Sequence, residues 1–253
     1  MLSYQHAYHA GNPADLHKHA TLAALLALMT RKPRAITVME THSGRGLYDL
    51  SGDEARKTGE AAEGIARLDP TSHPLWQAIA AIRTAHGDAA YPGSPLVTQA
   101  ALRPQDRHIL MELHPQEHRA LSTALRGTSA EIHKRDGYEG VLALSPPKPR
   151  RGLVLIDPSY EVKSEYEGVA EFTHRLVAKW PEAVVMIWYP ILPAARHVAM
   201  VEGLKLPKTV DEVAFDLKGG KGMIGSGLVL INAPYGSDQV LRDTRALCRG
   251  ILR

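Results

Sequence analysis

The 253-residue sequence holds a single cysteine, Cys248. One thiol excludes an internal disulfide and any zinc site built on cysteine, and it fits a reducing compartment. Long apolar runs are missing as well. The longest, "ATLAALLALM" at 20–29, falls well short of the roughly 20 residues a membrane span needs, and its basic cluster follows it where a signal peptide has its cations in front. The expectation is a cytoplasmic, untargeted protein with no membrane attachment. No charge sign dominates, with 30 Lys and Arg against 27 Asp and Glu and a net charge of +3. Only the local clusters "RKPR" (31–34) and "KPRR" (148–151) lean toward a polyanionic partner, and clusters of this kind are more often plain solvated surface. Internal repeats and low-complexity segments are absent. What is there, 44% hydrophobic and 23% charged residues, is ordinary globular composition and large enough for a sizeable core.

Residues 14–30 have helix-forming composition, with Asn12 as N-cap, Pro13 at the first helical position and "RKP" closing the element. "RAITVMETHSGRGLYDL" then reads as strand, small-residue loop and helix. Apolar runs recur at "HILMEL" (108–113), "AEIHKRD" (130–136), "GLVLID" (152–157), "AVVMIW" (183–188), "VDEVAFDL" (210–217) and "GLVLIN" (227–232). Most are separated by enough chain for a crossover helix, which predicts a mostly parallel seven-stranded α/β sheet with helices on both faces. The gap "KGGKGMIGS" is too short for a crossover, so the last two runs pair as an antiparallel hairpin at one end of the sheet. The interval 51–107, with "ARKTGEAAEGIARL" and "PLWQAIAAIRTA", reads as a small helical insertion within one domain spanning 1–253.

In an open parallel sheet, ligands sit beyond the carboxyl ends of the strands. After the first strand comes "ETHSGRG", where Gly44 lets the backbone approach a ligand. The second ends in "MELHP", placing Glu112 where nucleotide folds keep the acid that binds ribose hydroxyls, and the third ends in "KRDGY", with Asp136 and Gly137 at the corresponding point. Either acid taken singly reads equally as a cap or turn residue, but three aligned strand ends point to a nucleoside-containing cofactor.

The fourth strand runs into "LVLIDPSYE". Asp157-Pro158-Ser159-Tyr160 resembles the [Asp/Asn]-Pro-Pro-[Tyr/Phe] tetrapeptide of amino-methyltransferases that use S-adenosylmethionine. An exocyclic adenine amine is a poor nucleophile because its lone pair is delocalised into the ring. The Asp157 carboxylate and the Pro158 carbonyl can accept both amine hydrogens, and the aromatic Tyr160 can stack on the extruded base. Ser159 stands where the tetrapeptide has its second proline, which loosens the turn but spares those groups. "LVLINAPY" (228–235) looks similar, yet its proline is one place late and it closes a hairpin strand, so it reads as structure.

Four histidines, His6, His9, His17 and His19, crowd "HAYHAGNPADLHKHA". A histidine-based metallohydrolase is the rival class, but His17 and His19 at i, i+2 point to different helix faces. A nicotinamide oxidoreductase lacks its G-x-G-x-x-G spacing in "THSGRG". Within the methyltransferase class, these residues alone do not rank RNA above DNA.

The blocks "LSYQHAYHAGNPADLHKH", "THSGRGLYDL", "KTGEAAEGIARL", "YPGSP", "ELHP", "RDGY", "RGLVLIDPSYEVKSEY", "IWYP" and "GSGLVLINAPY" together resemble the bacterial 23S ribosomal RNA adenine-N6 methyltransferase family RlmJ, over nearly the whole chain. The resemblance implies a Rossmann-like class I S-adenosylmethionine-dependent methyltransferase fold. It implies that His19, His42, Ser94, Glu112, Asp136, Gly137 and Asp157 contact S-adenosylmethionine or its methyl-bearing end. Lys18 matches a residue required near the active site. Tyr4 and His6 match tail residues that meet the RNA or its target base, making residues 1 to about 20 a lid. The implied partner is 23S rRNA or a ribosomal assembly precursor, with no metal and no obligate protein partner.

Overall fold

The computed structural model describes residues 5–217 and 222–252. After a single 3-10 turn (His6–Tyr8) comes α1 (Pro13–Thr30), whose N-cap Asn12 accepts a hydrogen bond from the Asp15 N–H and whose first residue is Pro13. Leu16, Leu22, Leu25 and Leu26 are fully buried, and burying each such side chain stabilises the fold by about 1.5–3 kcal/mol. Burial runs around the whole of the first turns, so Asp15, His17, Lys18 and His19 are buried too. Charged groups in that position require partners, and those partners form the site described below.

After β1 (Thr37–Glu40) and its loop, the chain enters a short strand, β2 (Leu47–Asp49), where the sequence had suggested helix. It then forms α2 (Asp53–Thr58), two single-turn 3-10 segments, α3 (Pro74–His86), β3 (Ala90–Pro92) and α4 (Ser94–Ala101). β2 and β3 pair antiparallel as a separate two-stranded sheet. The interval expected to be purely helical is therefore closed by a ribbon, and its last helix, α4, is the crossover that returns to the main sheet. Local composition hid the ribbon because its two strands are three residues each and lie about 40 positions apart.

The remaining elements are β4 (Arg107–Met111), α5 (Pro115–Ala124), β5 (Glu131–His133), α6 (Gly137–Leu144), β6 (Gly152–Ile156), α7 (Ser164–Lys179), β7 (Val184–Ile191), α8 (Arg196–Gly203), β8 (Lys208–Ala214), β9 (Gly225–Ile231) and α9 (Ser237–Leu247). The seven-stranded sheet has the order β5-β4-β1-β6-β7-β9-β8. All neighbouring pairs from β5 to β7 are parallel, and β9 is antiparallel to both β7 and β8. This is the mostly parallel α/β sheet with a terminal hairpin that the run spacing predicts. α1 packs on α3, α4 and α9, while α7 packs on α6 and α8. Right-handed crossovers on either side of β1 put these groups on opposite faces of the sheet.

Strand direction now separates two edges. The carboxyl ends of β1, β4, β5 and β6 converge on one edge. Because β9 runs the other way, the "NAPY" turn after it lies at the opposite edge, where the Asn232 amide donates to the carbonyls of Pro181 and Ala183 at 2.7 and 3.0 Å. The look-alike tetrapeptide is a structural tie.

Candidate active site

A cavity of about 380 Å³ opens at the carboxyl edge. Its wall includes Lys18 and His19 from α1, Thr41–Gly44 after β1, Glu112 after β4, Asp136 and Gly137 after β5, Asp157–Ser159 after β6, and Trp188 of β7. The loops bring together residues as far apart in sequence as Lys18 and Asp157.

The residues expected on the cofactor side sit in order along this edge. The Glu112 carboxylate accepts hydrogen bonds from the N–H groups of Gly44 (2.8 Å) and His114 (2.7 Å). Burial raises its pKa, against the pull of those two donors. Asp136 caps α6, accepting from the Glu139 N–H at 2.9 Å. Gly137 follows because a Cβ there would lie 1.9 Å from the Thr41 carbonyl oxygen, so only glycine lets α6 start against the end of β1. Gly44 has φ +63, and a Cβ on it would meet the Tyr48 hydroxyl at 2.6 Å. The Ser94 hydroxyl, at the start of α4, donates to the fully buried Glu40 at 2.6 Å, with Thr98 donating to the same carboxylate at 2.9 Å. Thus Ser94 lines the cavity while its proton is committed to the wall.

The donor chemistry fits S-adenosylmethionine. The cavity is lined by six carboxylates, Glu112, Glu117, Asp136, Asp157, Glu161 and Glu165, against one lysine, a field that favours a sulfonium cation. Burial pushes His19 down to about 3 and His42 to about 4, so both imidazoles are neutral at ordinary pH and do not oppose that cation. The Ser43 hydroxyl is buried in the cavity wall without a hydrogen-bond partner among the described residues, a polar atom left for a ligand.

At the other end of the cavity Lys18 donates to Asp157 Oδ2 at 2.7 Å, lies 3.1 Å from Asp15 Oδ1, and stands 5.2 Å from the centre of the Trp188 ring. Burial opposes the ammonium charge, but Asp157 and Asp15 hold its pKa above the usual lysine value. Asp15 is also buried and accepts from the Gly11 N–H, with His6 Nε2 2.9 Å away. Against burial, the charges of His6 and Lys18 keep its carboxyl well below the ordinary range. His6, Asp15, Lys18 and Asp157 therefore form one chain of contacts from the N-terminal segment to the end of β6. Tyr4 lies outside the described residues.

The histidines divide by partner. His19 Nδ1 pairs with the Tyr91 hydroxyl at 2.9 Å, His9 with Glu60 at 3.0 Å, and His17 lies between Ser226 Oγ (3.0 Å) and Asp211 (2.9 Å) on the far side of α1. Among the described residues no three His, Cys, Asp or Glu side chains converge to hold a metal ion.

One placement departs from the sequence reading. Tyr160, expected to lie against the target base, is buried, with φ 56, and its hydroxyl donates to the Trp188 carbonyl at 2.8 Å. Its ring packs against Tyr166 and borders a second, adjoining cavity rather than the main one. The left-handed backbone at Tyr160 turns the side chain back into the core. Trp188 borders both cavities, as does the His6 imidazole. Sequence reasoning also passed over Asp15, Glu40 and Ser43. Asp15 had a usable signal, since it precedes Lys18 by three and His19 by four on one helix face; for Glu40, a carboxylate closing a buried strand, the partners arrive from 54 and 58 residues away.

Comparison with known proteins agrees with this geometry. The family described as "RsmJ: Ribosomal RNA large subunit methyltransferase D, RlmJ" matches residues 33–249. The Ribosomal RNA large subunit methyltransferase J of Escherichia coli is 32% identical over 255 residues, covering 96% of this chain and 91% of that protein. Its namesake from Haemophilus influenzae is 36% identical with the same coverage. The crystal structure of protein LPL1258 from Legionella pneumophila superposes with a TM-score of 0.82 at 32% identity over 94% of both chains. A probable spermidine synthase from Corynebacterium glutamicum shares the fold at a TM-score of 0.57 and 11% identity, over 94% of this chain and 72% of its own.

Proposed function

Because the chain belongs to the RsmJ/RlmJ family of large-subunit ribosomal RNA methyltransferases, we propose that it methylates the exocyclic N6 amine of an adenine in 23S rRNA, free or in a ribosomal assembly precursor, in the cytoplasm. S-adenosylmethionine supplies a methyl group made electrophilic by its sulfonium charge. Glu112, Asp136, Gly137, Gly44, His42, His19 and Ser94 would hold it along the carboxyl edge.

The observation that carries the reading is the Asp157-Pro158 turn at the floor of an acidic cavity, gripped by a buried lysine. Lys18 occupies Asp157 Oδ2, while Oδ1 accepts no hydrogen bond from the described residues. That oxygen and the Pro158 carbonyl are the two acceptors for the amine hydrogens. Accepting both localises the nitrogen lone pair, and acceptors already fixed in place cost no reorganisation when charge develops. Lys18 orients Asp157 and is itself fixed by Asp15 and the face of Trp188. His6, joined to Asp15, links the N-terminal segment to this chain, where RNA would meet it. The base has left its stack to reach this depth, and Trp188 and Tyr160, which both border the adjoining cavity, offer it aromatic surface.

The test is transfer of labelled methyl from S-adenosylmethionine to 23S rRNA. Asp157→Ala is expected to lose about 10²–10³ of the rate or more while retaining the fold. Full activity in this variant, or label entering only DNA or protein, would overturn the reading.

A further inference from the structure

The two basic clusters take no part in the cavity. Each immediately precedes a parallel strand, Arg31–Arg34 before β1 and Lys148–Arg151 before β6, so both lie at the amino edge of the sheet. Hydrogen bonds knit them into one surface. The Thr37 N–H donates to the Arg151 carbonyl at 2.9 Å, and the Arg151 guanidinium donates to the Met29 carbonyl at 2.8 Å. The Arg103 guanidinium donates to the carbonyls of Thr30, Lys32 and Arg34, and Arg107 donates to that of Lys148.

Carboxylates answer only part of this charge. Arg103 pairs with Asp106, Arg107 with Glu131 and Arg150 with Glu182. Arg31, Lys32, Arg34 and Lys148 are exposed and have no carboxylate partner among the described residues. Arg151 is held below the usual arginine value by partial burial and by the nearby charges of Arg34 and Arg103, which marks a local positive potential. A cation at the end of α1 is ordinary helix capping; one helix end does not account for a surface drawn from three separate segments.

We propose that this amino edge is a second RNA-docking surface, which holds the phosphate backbone of rRNA remote from the target adenine. The inference rests on the ribosomal RNA reading above. The cavity, with six carboxylates to one lysine, repels phosphates, so backbone affinity has to come from other surfaces. Strands of four and five residues separate the edges, roughly 15 Å at about 3.3 Å per residue, with loops added at both ends. A short hairpin seated at the cavity does not span that depth, whereas folded 23S rRNA can wrap it.

The test is the full-length variant Arg31→Gln/Lys32→Gln/Arg34→Gln/Lys148→Gln, assayed on intact 23S rRNA and on a short hairpin carrying the target adenine. These four side chains have no hydrogen bond among the described residues, so the fold should persist, and thermal melting checks it. KM for 23S rRNA is expected to rise about tenfold or more, and the slope of log affinity against log salt to fall by about 3. The value of kcat, and KM for the hairpin, should stay within about twofold. An unchanged KM and salt slope on 23S rRNA would overturn the proposal. So would an equal rise on both RNAs, which would indicate diffuse attraction, or a defect confined to protein-bearing ribosomal particles, which would assign the edge to a protein. A wild-type enzyme inactive on both RNAs would instead remove the RNA reading on which the inference stands.

Discussion

The two edges of the sheet carry charge in opposite ways. At the carboxyl edge, carboxylates dominate, and Asp157 and Glu112 are half-buried and tied at fixed distances, Asp157 to the buried Lys18 at 2.7 Å and Glu112 to the Gly44 N–H at 2.8 Å. At the amino edge, cations dominate and several stand in solvent with no carboxylate partner among the described residues. Buried charge acts through geometry, because a misplaced partner in low dielectric is costly. Solvated charge acts through its sum and is screened by salt. In the readings proposed above, one edge positions a reaction and the other attracts a polymer, and substitutions should separate the two.

The sharpest break in this contrast is Lys18→Met. It leaves Asp15 and Asp157 facing each other without their shared cation, and removing one member of such a buried group costs about 3–5 kcal/mol. Both the melting temperature and kcat should fall, and chemical denaturation with parallel rate measurements checks this. An exposed cation such as Lys148→Gln should leave stability within about 0.5 kcal/mol.

Gly137→Ala comes next. Its new Cβ cannot coexist with the Thr41 carbonyl at 1.9 Å, so α6 must withdraw from the end of β1. Affinity for S-adenosylmethionine, measured by calorimetry, should drop more than kcat does. Gly59→Ala, whose Cβ would meet nothing within 4 Å, provides the contrasting backbone control: it should lose a little stability through its positive φ and no cofactor affinity.

Acid should distinguish the edges with a smaller effect. His19 and His42 are neutral in the folded protein down to about 3 and 4, because burial penalises their charged forms. The unfolded chain binds those protons near pH 6.5. Stability is thus complete above about pH 6.5 and declines as pH falls toward the folded values. Asp15, depressed by His6 and Lys18 against burial, adds its own loss only below about pH 4. Melting temperature against pH should show the first decline, and His19→Gln with His42→Gln should flatten it between about pH 6.5 and 4. The glutamines of the amino-edge variant should leave that profile unchanged.

Much of the architecture was legible because it is local. Asn12 and Pro13 announce α1, the apolar runs announce the strands, and the nine-residue gap "KGGKGMIGS" announces the hairpin. Glu112, Asp136 and Asp157 were legible as strand-closing residues because strand ends are where such sheets bind ligands. The contacts between them were not. Lys18 meets Asp157 across 139 positions and His17 meets Asp211 across 194, separations no periodicity encodes. The direction of Tyr160 was not legible for a different reason: it depends on a left-handed backbone at one residue, a conformation that tyrosine does not advertise. The basic clusters were legible as charge, but which edge they occupy depends on the strand direction that the fold supplies.

In the proposed reaction the Asp157 turn holds an adenine amine of 23S rRNA for methyl transfer from S-adenosylmethionine. The most direct measurement is nucleoside mass spectrometry of 23S rRNA, taken from cells lacking the enzyme and incubated with S-adenosylmethionine and purified protein. The account predicts one new N6-methyladenine per rRNA with the wild type and none with Asp157→Ala. Methylation at a carbon, a ribose oxygen or another base, or equal N6-methyladenine from both proteins, would contradict it.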